Sequence, residues 1–198
     1  MQVTMIKSKL NKPVPLILDT DMGNDIDDAL AMAMIHTMQT RGECELLGVV
    51  SSKDNPYSPV YIDVVNTFYG RGDIPIGKVC DGVTPDDRTF IKQVATAKDH
   101  GALRYPRSYQ HDEYQDAVPM LRRLLAGQPD RSVVMLMIGF STNMAQLLAS
   151  GPDKASPLNG HDLFAKKVDR VVAMAGNFSE EVQENPAIDN REYNIHCD

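Results

Sequence analysis

The stretch VPLILDTDMGNDIDDALAMAMIHTMQT, residues 14–40, decides the fold. It opens on an apolar run that closes on Asp19 and Thr20. A run without polar alternation predicts a strand over 14–20 that is covered on both faces. The second half predicts a helix from near Asp25 to about Gln39, with Ile26, Leu30, Ala33 and Met34 on one stripe. Between strand and helix lie Asp19, Asp21, Asp25, Asp27 and Asp28.

Working outward, ELLGVVS (45–51), VVMLMI (133–138) and VDRVVAMA (168–175) predict three more strands. Helices are expected near 58–70, 112–126 and 142–150, the last capped by Ser141 or Asn143. Alternating strands and helices imply a three-layer α/β/α fold with a mostly parallel, Rossmann-like open sheet. No repeat or low-complexity linker divides the chain, so residues 1–198 read as one domain. The four strands run into DTDMGNDIDD, SSKDN, GFSTN and AGN. Ligands of open α/β sheets bind outside the carboxyl ends of the strands, so four polar clusters at four such ends predict one site.

Composition narrows the function. A net charge of −7 argues against a surface built to neutralise nucleic acid or anionic lipid, and leaves a small ligand open. No stretch approaches the roughly 20 apolar residues of a membrane span. The N-terminal lysines have no apolar run behind them, so no signal peptide is expected. Cys44, Cys80 and Cys197 lack metal-ligand spacing and read as reduced cysteines of a cytoplasmic protein.

The aspartates of the first turn have two readings. Helix capping accounts for one or two of them. It does not account for five, since two carboxylates about 4 Å apart repel by about 4 kcal/mol at an effective dielectric near 20. A cation among them removes that cost. With no His or Cys in the cluster the ion is hard and oxygen-loving, so Ca²⁺ or Mg²⁺ is expected and Zn²⁺ is not. An EF-hand is excluded, because a strand precedes the cluster and the twelfth position from Asp19 is Leu30.

Asp19 to Ala29 (DTDMGNDIDDA) after an apolar strand resembles the N-terminal signature of the inosine–uridine-type nucleoside hydrolases. Val134–Asn143 (VMLMIGFSTN) is similar to the second metal segment of that family, Val171–Gly176 (VVAMAG) to its central strand, and Glu192-Tyr-Asn194 to its ribose-binding Glu-aromatic-Asn. The resemblance implies Ca²⁺-dependent hydrolysis of the N-glycosidic bond of a ribonucleoside. Asp21 would then be both calcium ligand and base. Asp28 would be the second carboxylate ligand and the Ile138 backbone carbonyl a further one, and Asp27 would bond the ribose hydroxyls. Asn55 would contact the ribose further, and Met174 would lie under the sugar or in the core. Asn177 or Asn185 would meet the 5′-hydroxyl, and Glu192 and Asn194 would hold the ribose. The acidic turn is two residues longer than in well-known members, which leaves Asp25 as an alternative to Asp27.

The family's later His-Asp pair has no counterpart here. The resemblance therefore implies a C-terminally incomplete chain, inactive on nucleosides by itself and with a sheet edge or face left open. It also implies that Glu192–Asn194, so near a terminus, is not held rigidly. Relatives suggest a homodimer or homotetramer.

Glycosidic cleavage passes through an oxocarbenium-like ribose, which carboxylates and amide oxygens stabilise. The five histidines are scattered and read as surface or packed residues. His100 is the exception, in a polar loop (99–114) that is a lid candidate beside 178–191. Two rival readings remain: a nucleoside- or sugar-binding module, and a haloacid-dehalogenase-like phosphohydrolase using Asp19, Asp21 and Thr142.

Overall fold

The structure, a computed structural model, describes residues 12–83, 90–109, 113–177 and 192–198. The opening unit forms as expected: strand β1 (Val14–Thr20), the acidic turn, then helix α1 (Asp27–Thr40). There follow β2 (Cys44–Ser51), α2 (Ser58–Phe68), β3 (Ile76–Lys78), α3 (Phe90–Thr96) and a hairpin of β4 (Lys98–Asp99) and β5 (Ala102–Leu103). The chain continues through β6 (Gln115–Asp116), α4 (Ala117–Ala126), β7 (Val133–Met137), α5 (Thr142–Ala149), α6 (Gly160–Lys167), β8 (Val168–Ala173) and α7 (Tyr193–Cys197).

Six strands make a parallel sheet in the order β6-β3-β2-β1-β7-β8. The period-2 alternation of a strand divides its side chains between two cores. Leu16 and Leu18 of β1 pack with Met32, Ile35, Val60 and Ile62 of α1 and α2. Ile17 packs on the other face with Met120, Leu121, Leu147 and Leu163 of α4, α5 and α6. This is the expected three-layer α/β/α arrangement. The strand order places β1 between β2 and β7, so the acidic turn leaves the middle of the sheet's carboxyl edge.

Helix α1 departs from the expected packing. Ile26, Leu30 and Met34 do share one side, but Leu30 is 59% and Met34 66% exposed. The buried residues are Asp28, Met32, Ile35 and His36. Between Ala29 and Ile35 the helix is apolar all round, so periodicity cannot say which stripe faces the sheet. The helix expected over 112–126 begins only at Ala117, because Tyr114 is drawn into the core, where its hydroxyl donates to buried Asp63. Strands β3 and β6, the hairpin, and helices α3 and α6 were not expected; the strand pieces are too short to show a period. Strand β8 lies at the sheet edge with Val171 and Val172 exposed. Among the described residues no helix is long and apolar enough to cross a membrane.

Candidate functional site

The ends of three strands are tied together around Asp19, Thr20 and Asp21, all buried. The Ile138 amide after β7 donates to the Asp19 carbonyl at 2.8 Å, and the Ser52 amide after β2 donates to the Thr20 carbonyl at 2.9 Å. Phe140 N donates to Ser52 Oγ at 3.0 Å, which joins the outer two strand ends across β1. Gly139 makes this closeness feasible: a Cβ there would lie 2.3 Å from the Asp21 amide nitrogen and 2.5 Å from Ser52 Oγ. From α5, Asn143 donates its side-chain amide to Asp19 Oδ1 at 3.2 Å.

The turn itself concentrates negative charge. One carboxylate oxygen from each of Asp25, Asp27 and Asp28 lies within 4.8 Å of the others, with Asp28 buried and the other two exposed. Burial, then the charge of Asp21, pushes the Asp28 carboxyl up to about 8, against the hydrogen bond it accepts from Thr20 Oγ1. Burial also lifts Asp21 to about 6, opposed by backbone and Asn24 hydrogen bonds and reinforced by Asp25 and Asp27. Asp19, further inside, is raised to about 8 by burial, with the Asn143 bond opposing.

The capping explanation of these aspartates does not hold for α1 as a whole. Its N-cap is Ile26, with no side-chain cap bond, although Asp27 Oδ1 does accept the Asp28 amide at 2.9 Å. The converging carboxylates are those of Asp25, Asp27 and Asp28, so of the two expected carboxylate ligands Asp28 falls in this group and Asp21 stands beside it; oxygen donors alone suit a hard cation.

The other expected residues fall on both sides of this turn. Asn55 is buried, accepts Tyr57 N at 2.8 Å, and lines a cleft of about 230 Å³ with Lys53, Pro56, Pro59, Lys78 and Tyr114. On the β7–β8 side, Asn194 is buried and donates its side-chain amide to the carbonyls of Ile138 (3.1 Å) and Met174 (3.3 Å). Three expected positions therefore meet there. Met174 is 44% exposed. Glu192 accepts the Asn194 and Ile195 amides at 3.0 and 3.2 Å, capping α7. Asn177 is exposed after β8. Asn185, His111 and the lid candidate 178–191 lie outside the described residues.

His100 sits exposed at the β4–β5 turn with φ 51°. The loop it belongs to is anchored: buried Asp63 of α2 accepts Ser108 N at 3.0 Å, Tyr109 N at 2.8 Å and the Tyr114 hydroxyl at 3.1 Å. His36 is buried against Tyr69 and pushed down to about 4 by that burial, which makes it a packed residue. Sequence reasoning missed Asn24 and Lys53 and gave Asn143 only a capping role. The available signal was a lysine directly after an apolar strand, in SSKDN.

A parallel α/β sheet with an oxygen-donor cluster at its central carboxyl edge defines a class of ligand-binding α/β proteins. Residues 16–198 match the pattern of the inosine-uridine preferring nucleoside hydrolases, and the chain belongs to that family. This removes the phosphohydrolase rival. A search of curated proteins finds no match. Among solved structures, the type III effector protein XopQ complexed with adenosine diphosphate ribose is similar at 21% identity and TM-score 0.68, over 96% of this chain and 51% of that one. A plant nucleoside hydrolase is 24% identical, TM-score 0.59, over 94% and 54%. A purine-preferring ribonucleoside hydrolase from Gardnerella vaginalis is 19% identical, TM-score 0.54, over 82% and 49%. These likenesses are of fold. The chain spans about half the length of the solved structures it matches.

Proposed function

We propose that this domain carries the calcium and ribose side of a nucleoside N-ribohydrolase site, which cleaves the bond between ribose and base. The observation that carries the reading is the converging carboxylates of Asp25, Asp27 and Asp28 beside buried Asp21, at the carboxyl edge of β1 in a chain of the nucleoside hydrolase family. A general base must be ionised and within reach of the water it deprotonates, and a carboxylate beside a bound cation stays ionised. Calcium held by Asp21, Asp28 and the Ile138 carbonyl would neutralise the turn, orient the sugar hydroxyls and make a water molecule more acidic.

The chain's own groups do the rest. Asp21 accepts the proton of the attacking water. Asp27, with Asp25 as its alternative, bonds the 2′- and 3′-hydroxyls from the exposed side of the turn. Asn55 approaches the sugar from the β2 side; Met174, Glu192 and Asn194 approach from the β8 side, with Asn177 or Asn185 at the 5′-hydroxyl. The Ile138 carbonyl already accepts from Asn194, and its second lone pair leaves it a further acceptor. Carboxylates on the sugar side favour the positive charge that develops as the bond to the base breaks.

This reading assigns no group of residues 1–198 to the departing purine or pyrimidine. A p-nitrophenyl riboside, whose leaving group needs no proton, tests the remaining machinery in the same chain. Calcium-dependent nitrophenol release is expected, and Asp21→Asn should lower it about 10²–10⁴-fold with KM little changed. Calcium-dependent ribose binding without release would favour a sugar-binding module. Near-normal release by Asp21→Asn would mean another group is the base.

A further inference from the structure

Lys53 follows β2 and is 1% exposed, an uncommon burial for a strongly hydrated ammonium. Its Nζ donates to Asn24 Oδ1 at 2.7 Å. Asn24, also buried, donates Nδ2 to Asp21 Oδ2. Three buried side chains from two strand ends thus form one line, Lys53 to Asn24 to Asp21, and the reaction proposed above uses only the last.

The order of groups in that line has a physical consequence. An ammonium has donors only, and an ionised carboxylate has acceptors only. An amide between them satisfies both in one orientation alone. Turned over, it would set NH₂ against the ammonium and C=O against the carboxylate, replacing two charge-assisted bonds with two repulsive contacts. The terminal torsion of an asparagine is otherwise broad and two-fold, so the side chain alone does not choose. Lys53 chooses for it, and the chosen orientation aims a donor at Asp21.

We propose that Lys53 is a positioning residue, which through Asn24 fixes the Asp21 carboxylate in the orientation that a divalent cation and an attacking water require. This rests on Asp21 being a ligand of the proposed ion. Lys53 touches neither ion nor sugar in this role. Its charge also offsets part of the charge of the acidic turn, an effect that would operate at a distance whether or not Asn24 is present.

That difference supplies the test, a double-mutant cycle on calcium affinity, measured by titration calorimetry of the whole chain and independent of turnover. Lys53→Met removes direct repulsion of the ion in any background, which tightens binding. It removes the hold on Asn24 only where Asn24 exists, which weakens binding. The factor by which Lys53→Met raises the calcium Kd should therefore be at least about 5-fold larger in the native background than in Asn24→Ala. Equal factors in both backgrounds would overturn the relay while leaving the metal site standing. Absence of calcium binding by the native chain would overturn both. If Lys53→Met does not fold, Lys53→Gln, which keeps a donor but not the charge, replaces it in the cycle. On the p-nitrophenyl riboside, Lys53→Met should lower kcat with KM little changed; a rise in KM at unchanged kcat would place Lys53 on the sugar and refute the positioning role.

Discussion

Titrating the cation-free protein from about pH 5 to about pH 8 is expected to destabilise it, and calcium is expected to reverse the effect. Asp21, Asp28 and Asp19 have ordinary values of 3.8 in the unfolded chain and are raised to about 6, 8 and 8 in the folded one. Between about pH 4 and pH 8 the folded state therefore holds protons that the unfolded state has released. Stability then falls as pH rises through that window, and levels off above it. Each proton so held contributes a slope of about 1.4 kcal/mol per pH unit. For a domain of this size that is roughly 3–5 °C in Tm per pH unit. Asp21 and Asp28 titrate as a pair, each raised first by burial, so their contribution is a loss of stability on going from acid to neutral pH. The assay is thermal melting in chelator across this range, repeated with excess calcium. Calcium at 100 times its Kd adds about 2.7 kcal/mol and flattens the slope, because it binds the ionised carboxylates. Asp28→Asn keeps an acceptor for Thr20 and should remove about one proton's worth of slope together with most of the calcium response. A cation-free Tm that stays flat or rises from pH 5 to 8 would refute the account of carboxyls held protonated by burial, with one another's charge adding to it.

Two further outcomes follow from the packing. Gly139→Ala puts a methyl 2.3 Å from the Asp21 amide, so the strand end must move; a loss of about 1–3 kcal/mol in urea unfolding and weaker calcium binding are expected together. Asp63→Ala leaves the buried Tyr114 hydroxyl and two loop amides without their acceptor, and should cost at least about 3 kcal/mol and raise hydrogen exchange at Ser108 and Tyr109.

Long, strongly patterned elements are legible in the residues themselves. Val14–Thr20 forms its strand at the expected bounds, and the strands expected at 45–51, 133–138 and 168–175 appear within one or two residues. The first three are uninterrupted or nearly uninterrupted apolar runs, which burial on both faces answers; β8 instead carries Asp169 and Arg170 and leaves Val171 and Val172 exposed. The acidic turn is legible for a different reason. Five carboxylates in ten residues, gathered into one turn between a strand and a helix, repel one another, so the sequence points to a counter-charge there. The pieces that escape, such as β3 and β6, owe their strand form to sheet neighbours and not to their own residues.

Sequence alone therefore determined the parallel α/β class and the place of the acidic turn, because periodicity and charge density are local properties of the chain. Which side of α1 meets the sheet was a tertiary decision: an all-apolar stretch offers several stripes, and contact with β1 and β2 selects Met32 and Ile35 over Leu30 and Met34. So was the line from Lys53 through Asn24 to Asp21. Its members stand 29 and 3 residues apart in the chain, and the parallel pairing of β1 with β2 brings Lys53 of SSKDN beside the turn. The meeting of Ile138, Met174 and Asn194 has the same origin, since a hydrogen-bond donor finds its carbonyls by where the strands end and not by where they lie in sequence.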